Sequence, residues 1–153
     1  MKLKVRGILA SLAVAFGLLQ LLPIDLTNPP VESDVAAPEP IQTVLRRACY
    51  DCHSNETRWP WYSRVAPASW LLARDVHEGR RELNFSTWNA YRAGRQAKKL
   101  KETADEVRDR DMPPWYYVLM HRDARMTDAD RVAVETWAAK ASPGVPPETP
   151  HAE

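Results

Sequence analysis

Cysteine is scarce in this chain: two residues in 153, alongside five glycines and two phenylalanines. Two cysteines exclude a disulfide-dense scaffold and a four-cysteine zinc site. Charge of one sign is lacking as well. Lys plus Arg is 21 and Asp plus Glu is 20, a formal net charge of +1, which excludes a global electrostatic grip on nucleic acid. Strand-like alternation is rare, and no internal repeat is present. Proline is in excess at 13 residues, which points to extended segments outside a compact core of about 100 residues.

The first 23 residues read as a signal-anchor or transmembrane segment. Lys2, Lys4 and Arg6 precede a run from Gly7 to Leu22 that is apolar except for Ser11 and Gln20, and Pro23 closes it. A secretory signal has this shape, but no small-residue cleavage site follows closely. An uncleaved anchor with its basic end in the cytoplasm is the expectation, and a secreted periplasmic product after cleavage is the alternative. Residues 24–40, with five prolines counting the closing Pro23, read as a spacer. Residues 41–140 form the expected folded domain, and residues 141–153 a disordered tail.

Within 41–140 the helical period dominates. Ile41, Val44, Leu45, Ala48 and Cys52 predict a first helix. Pro67 opens a second that runs to Leu83. Ser86 is the expected cap of a third, whose later part, Arg95 to Arg110, is charged. Thr127 with Asp130 forms a capping box for a last helix ending near Lys140. The expected fold class is all-α.

The cysteines stand as Cys49-Tyr50-Asp51-Cys52, and His53 follows. Two thiols one turn apart add to the two vinyl groups of haem, and the adjacent imidazole takes the iron as proximal ligand. This pattern is the signature of covalent c-type haem attachment. Three other readings compete. Zinc wants four ligands, and Cys49, Cys52 and His53 supply three. A thioredoxin-like redox pair belongs between a strand and a helix. A structural disulfide requires an oxidising compartment.

The candidates for a sixth iron ligand are Met112, Met120, Met126, His77 and His121, with an open iron as a further option. Met112 leads because Pro113 and Pro114 stiffen its loop and its charged neighbours make it a poor core residue. Six tryptophans supply apolar bulk that a small domain needs. Their indole donors, with Arg58 and Arg64, suit haem propionates. Basic residues gather between Arg74 and Lys101 and acidic ones between Glu102 and Asp111, an arrangement able to orient a redox partner or to solvate a helix face.

The segment Cys49-Tyr50-Asp51-Cys52-His53-Ser54-Asn55-Glu56-Thr57 with Trp59-Pro60-Trp61-Tyr62 resembles the opening block of the bacterial haem-binding-domain family of small single-haem c-type proteins. Arg80-Arg81-Glu82-Leu83-Asn84-Phe85-Ser86 is similar to its middle block. Met112-Pro113-Pro114 resembles the Met-Pro loop of c-type cytochromes, and Thr127 to Asp130 followed by Trp137 looks like their closing helix. The resemblance covers about two-thirds of the chain. It implies a cytochrome c-like helical domain around one haem c, held by Cys49 and Cys52 with His53 and Met112 on the iron.

The leading functional expectation is one-electron transfer with redox partner proteins at the periplasmic face of the bacterial inner membrane. A sensor or binding module for a small gas is the alternative. A peroxidase is a third, and it would want a distal acid–base pair for which only His77 beside Arg74 or Arg80 offers itself.

Overall fold

The computed structural model describes residues 2–142, with side chains from residue 4 onward. The expected tail at 141–153 therefore lies almost wholly outside the described residues. Seven helices are present among them: α1 Lys2–Leu19, α2 Glu39–Ala48, α3 Tyr50–His53, α4 Ala68–Glu82, α5 Ala93–Asp109, α6 Trp115–Met120 and α7 Asp128–Ala141. Three 3-10 turns, Trp61–Arg64, Phe85–Ala90 and Arg122–Ala124, fill the connections. No strand occurs among the described residues, in agreement with the all-α expectation.

The core lies where α2 and α5 meet α7. Val44, Leu45, Ala48, Leu100, Val107, Val134, Trp137 and Ala138 are buried together. Each fully buried large side chain stabilises by about 1.5–3 kcal/mol relative to exposure. Aromatics from the next elements complete it. Tyr50 stacks on Phe85 with centroids 5.2 Å apart, and Phe85 meets Trp88 at 6.3 Å. Helix α7 starts as anticipated: the Thr127 hydroxyl accepts from the Asp130 amide, and the Asp130 carboxylate accepts from the Thr127 amide. These bonds satisfy donors that a helix start leaves unpaired.

Three expectations about helices are corrected. The first helix breaks at Cys49, whose φ of −125° leaves the helical region, so α2 and α3 are separate. The cap after α4 is Asn84, which accepts from the Ser86 amide, while Ser86 itself is buried. The expected third helix divides into a 3-10 turn and α5, because the chain is extended at Tyr91 and Arg92.

The structure does not support the transmembrane expectation. No helix among the described residues is long and apolar enough to cross a membrane. Lys2, Lys4 and Arg6 fall inside α1. The apolar part, from Gly7 to Leu19, spans about 20 Å at ~1.5 Å per residue, short of a ~30 Å hydrocarbon core.

Residues 24–40 do not hang free as a spacer. Val35 is only 3% exposed and belongs to the core. The Glu32 and Ser33 amides both donate to the Ser86 carbonyl, and the Asn89 amide donates to the Ser33 hydroxyl. Tyr50 donates to the Asp34 carboxylate. Pro29 and Pro30 have no amide donor, so the domain reaches out instead: Asn55 Nδ2 donates to the Pro30 carbonyl at 2.7 Å. The segment is a strap across the domain.

Candidate haem site

Helix α3 is a single turn that begins where α2 stops. The Cys52 and His53 amides donate to the Cys49 carbonyl at 3.1 and 2.9 Å. This turn sets Cys49 and Cys52 one winding apart with His53 beside them. Neither cysteine is in a disulfide, and both are half-buried. Burial pushes both thiols up to about 12.

Helix α4 lies against the turn and fixes the imidazole. His53 Nδ1 is 3.0 Å from the Gly79 carbonyl and 3.2 Å from the Leu83 carbonyl. Carbonyls only accept, so Nδ1 carries the proton and Nε2 keeps its lone pair. Burial also pushes the pKa of His53 down, against the two carbonyl bonds. The result is a neutral, oriented imidazole with Nε2 left to bind a metal, the arrangement found behind most metal-ligating histidines. Glycine at position 79 makes the approach feasible. A Cβ there would lie 2.6 Å from the Cys52 carbonyl oxygen and 3.1 Å from Cys52 Cβ.

A polar frame holds the turn from the other sides. Asp51, only 8% exposed, accepts from the Arg58 amide at 3.1 Å and from Arg58 Nε at 3.2 Å. Its other oxygen accepts from the Tyr117 hydroxyl at 2.7 Å. The Asn55 amide donates to the Ser86 hydroxyl, and Asn84 Nδ2 donates to Asn55 Oδ1. The two sequence blocks around Cys49-His53 and Asn84-Ser86 are therefore one hydrogen-bonded unit. Arg80 stitches the strap to it, donating to the carbonyls of Ser54 and Thr27, to Asn28 Oδ1 and to the Thr57 hydroxyl.

Residues 14–140 match the family model described as a haem-binding domain. The chain belongs to the haem-binding-domain family. No curated protein and no solved structure matches it.

The residues of this haem-binding domain fit the group. His53 offers Nε2, and the two thiols stand on the same turn. Trp59 Nε1 is a buried donor with no partner, and a haem propionate is an acceptor of the kind it lacks. The zinc and thioredoxin readings lose their support. Among the described residues no group of three or more His, Cys, Asp or Glu side chains could hold a metal ion, and there is no strand to frame a redox pair.

The sixth-ligand candidates separate by burial and partners. Met126 is a core residue at 6% exposure, and Met120 is 60% exposed. His77 is exposed on α4. His121 is engaged at both nitrogens: Nδ1 donates to the Tyr117 carbonyl at 3.1 Å, and Nε2 accepts from the Tyr62 hydroxyl at 3.0 Å. Met112 is half-buried, on the connection between α5 and α6. Its amide donates to the Glu106 carbonyl, and its carbonyl accepts from Arg131 Nη1. The turn into this loop passes through Arg110, which takes a left-handed φ of 67° at the end of α5.

Arg58 is committed to Asp51, and Arg64 is exposed. The basic and acidic stretches are paired off locally. Arg74 meets Glu78, Lys99 meets Glu102, and Asp105 bridges Lys101 and Arg108. The more exposed of these, Arg74–Glu78 and the Asp105 pairs, contribute little stability. Composition and spacing did not single out Asp51, Gly79 or Tyr117, and named Arg80 only as a neighbour of His77. A glycine inside an otherwise helical pattern was the one available sign, for Gly79.

Proposed function

We propose that this haem-binding domain is a c-type electron carrier acting on the outer side of the bacterial inner membrane. In this reading Cys49 and Cys52 hold one haem through thioethers, His53 is the proximal ligand and Met112 the distal one. Each thiol adds across a vinyl double bond: the sulfur bonds to one carbon, the proton goes to its neighbour, and no oxidant is consumed. The bound group supplies a ferric/ferrous couple. The chain's own residues orient the imidazole through Gly79 and Leu83 and brace the attachment turn through Asp51, Arg58 and Tyr117.

The observation that carries the proposal is the geometry of His53, directly after the two cysteines: its Nδ1 is held 3.0 and 3.2 Å from the Gly79 and Leu83 carbonyls. A sixth-position methionine raises the reduction potential into the range of electron-transfer cytochromes. The basic segment followed by an apolar run supports export.

Haem staining after denaturing electrophoresis tests the covalent link. Stain is retained in wild type and lost in Cys49→Ala with Cys52→Ala; absence of stain in wild type rejects the proposal. The Met–iron charge-transfer absorption of the ferric protein tests the distal ligand. Met112→Ala abolishes it and lowers the potential, and an unchanged spectrum removes Met112 from the iron.

A further inference from the structure

Helix α6 is held to the domain in an unusual way. None of its six residues is buried, and Trp115, Leu119 and Met120 are 77%, 68% and 60% exposed. Apolar packing therefore does little to fix it. Tyrosine hydroxyls attach it instead. Tyr117 donates to Asp51 Oδ2 at 2.7 Å, and Tyr116 donates to Asp75 Oδ2 at 3.1 Å. The Tyr117 ring also stacks on His121 at 4.2 Å, and His121 accepts from Tyr62.

These attachments reach the two elements that define the proximal side. Asp51 lies between Cys49 and Cys52 on α3. Asp75 lies on α4, one turn before Gly79, whose carbonyl orients His53. The other end of α6 joins Met112 through Pro113 and Pro114 alone. Both prolines have fixed φ, and the Pro114 carbonyl accepts the first two helical bonds of α6, from Tyr117 and Val118. A shift of α6 therefore passes directly to Met112. On its other flank Met112 is fixed to Glu106 and Arg131.

We infer that Tyr117 and Asp51 are a positioning pair for the sixth ligand: their hydrogen bond latches α6 to the haem-attachment turn and so sets how often Met112 leaves the iron. The inference rests on the assignment of Met112 as distal ligand. Hydrogen bonds to a carboxylate are among the stronger ones. Burial and the Asp51 bond push the pKa of Tyr117 up, which keeps its proton in place as donor.

Carbon monoxide binding to the ferrous protein measures the latch. The gas needs a vacated sixth position, so its apparent affinity scales with the fraction of molecules in which Met112 is off. Tyr117→Phe keeps the ring stack and deletes one hydroxyl. It is expected to bind carbon monoxide about tenfold more tightly than wild type, equivalent to about 1.4 kcal/mol, and to weaken the ferric Met–iron absorption. In a Met112→Ala background the same substitution is expected to change carbon monoxide affinity less than twofold. A purely structural role would lower the melting temperature and leave the gas affinity alone.

Wild-type affinity in Tyr117→Phe overturns the latch, and so does a tenfold gain that persists without Met112. Absence of the Met–iron absorption from wild type removes the Met112 assignment, and the latch with it. Should Tyr117→Phe fail to fold, Asp51→Asn keeps a neutral acceptor at the same place. A gain between those of wild type and tenfold is expected there, and no gain overturns the pair.

Discussion

Replacing Gly79 with alanine tests how α4 presses on the haem-attachment turn. Alanine is the better helix former by about 1 kcal/mol, so propensity alone predicts a stabilised α4. Contact geometry opposes it. The new methyl would sit 2.6 Å from the Cys52 carbonyl oxygen and 3.1 Å from its carbon. Both are backbone atoms and cannot swing aside. Overpacking of this kind costs about 1–3 kcal/mol. Moving α4 away also weakens the His53 bond to the Gly79 carbonyl, worth a further ~0.5–1.5 kcal/mol. The net loss is about 1–3 kcal/mol, a drop of roughly 5–20 °C in melting temperature for a domain of this size.

Thermal melts of the haem-loaded protein, followed by far-UV circular dichroism, read that loss. Gly94→Ala is the internal control, because nothing lies within 4 Å of a Cβ at that position in α5. It is expected to gain about 0.5–1 kcal/mol. The reduction potential gives a second readout. An Nδ1–H bond to a carbonyl makes the imidazole a stronger donor and favours ferric iron, so Gly79→Ala raises the potential while Gly94→Ala leaves it unchanged. If Gly79→Ala melts at or above wild type, the close approach of α4 to Cys52 is not the constraint described above.

Three further outcomes follow from the α7 capping box and from Arg80. Thr127→Ala removes the hydroxyl half of the α7 capping box and is expected to cost about 1 kcal/mol by chemical denaturation. Burial raises the pKa of Asp130, but the Thr127 bonds and Arg47 outweigh it and leave a net depression. A carboxyl lowered by folding stabilises above its unfolded pKa and loses that contribution as pH falls through the folded value. The stability gap between wild type and Asp130→Asn should therefore close below about pH 4; a gap that widens on acidification contradicts the assignment. Arg80→Met removes all four bonds that join Thr27, Asn28, Ser54 and Thr57. Limited proteolysis should then cut within residues 24–34 several-fold faster, with haem attachment retained; equal cutting rates would show that the strap is held elsewhere.

Local signals in the sequence carried what depends on neighbours a few residues apart. The Cys49-His53 turn, the Pro67 start of α4 and the Thr127–Asp130 box each depend on groups within one or two turns. What stayed hidden depends on distant partners. Nothing near Pro29 and Pro30 announces that Asn55 will reach for the Pro30 carbonyl, so a proline-rich stretch reads as a spacer. Helix α6 was missed because Pro113 and Pro114 mark an extended loop and its apolar residues show no buried face. The break at Cys49 cannot be seen in a periodic pattern that continues from Ile41 to Cys52. Nothing in the motif announces the role of Asp51, whose partners Tyr117 and Arg58 lie 66 and 7 residues away.

The raised thiols carry a consequence for biosynthesis. In the folded, haem-free chain both sulfurs sit in surroundings that push them up to about 12. A thiol raised in this way reacts more slowly, because the thiolate is the nucleophilic form. With covalent haem, folding and attachment are then competing reactions on one nascent chain, and the faster decides its fate. Attachment first leaves a porphyrin for the core to condense around. Folding first leaves the thiols half-buried and largely protonated, which slows their addition to a vinyl group. With covalent haem, loading is therefore expected to run faster on the unfolded chain than on the folded one.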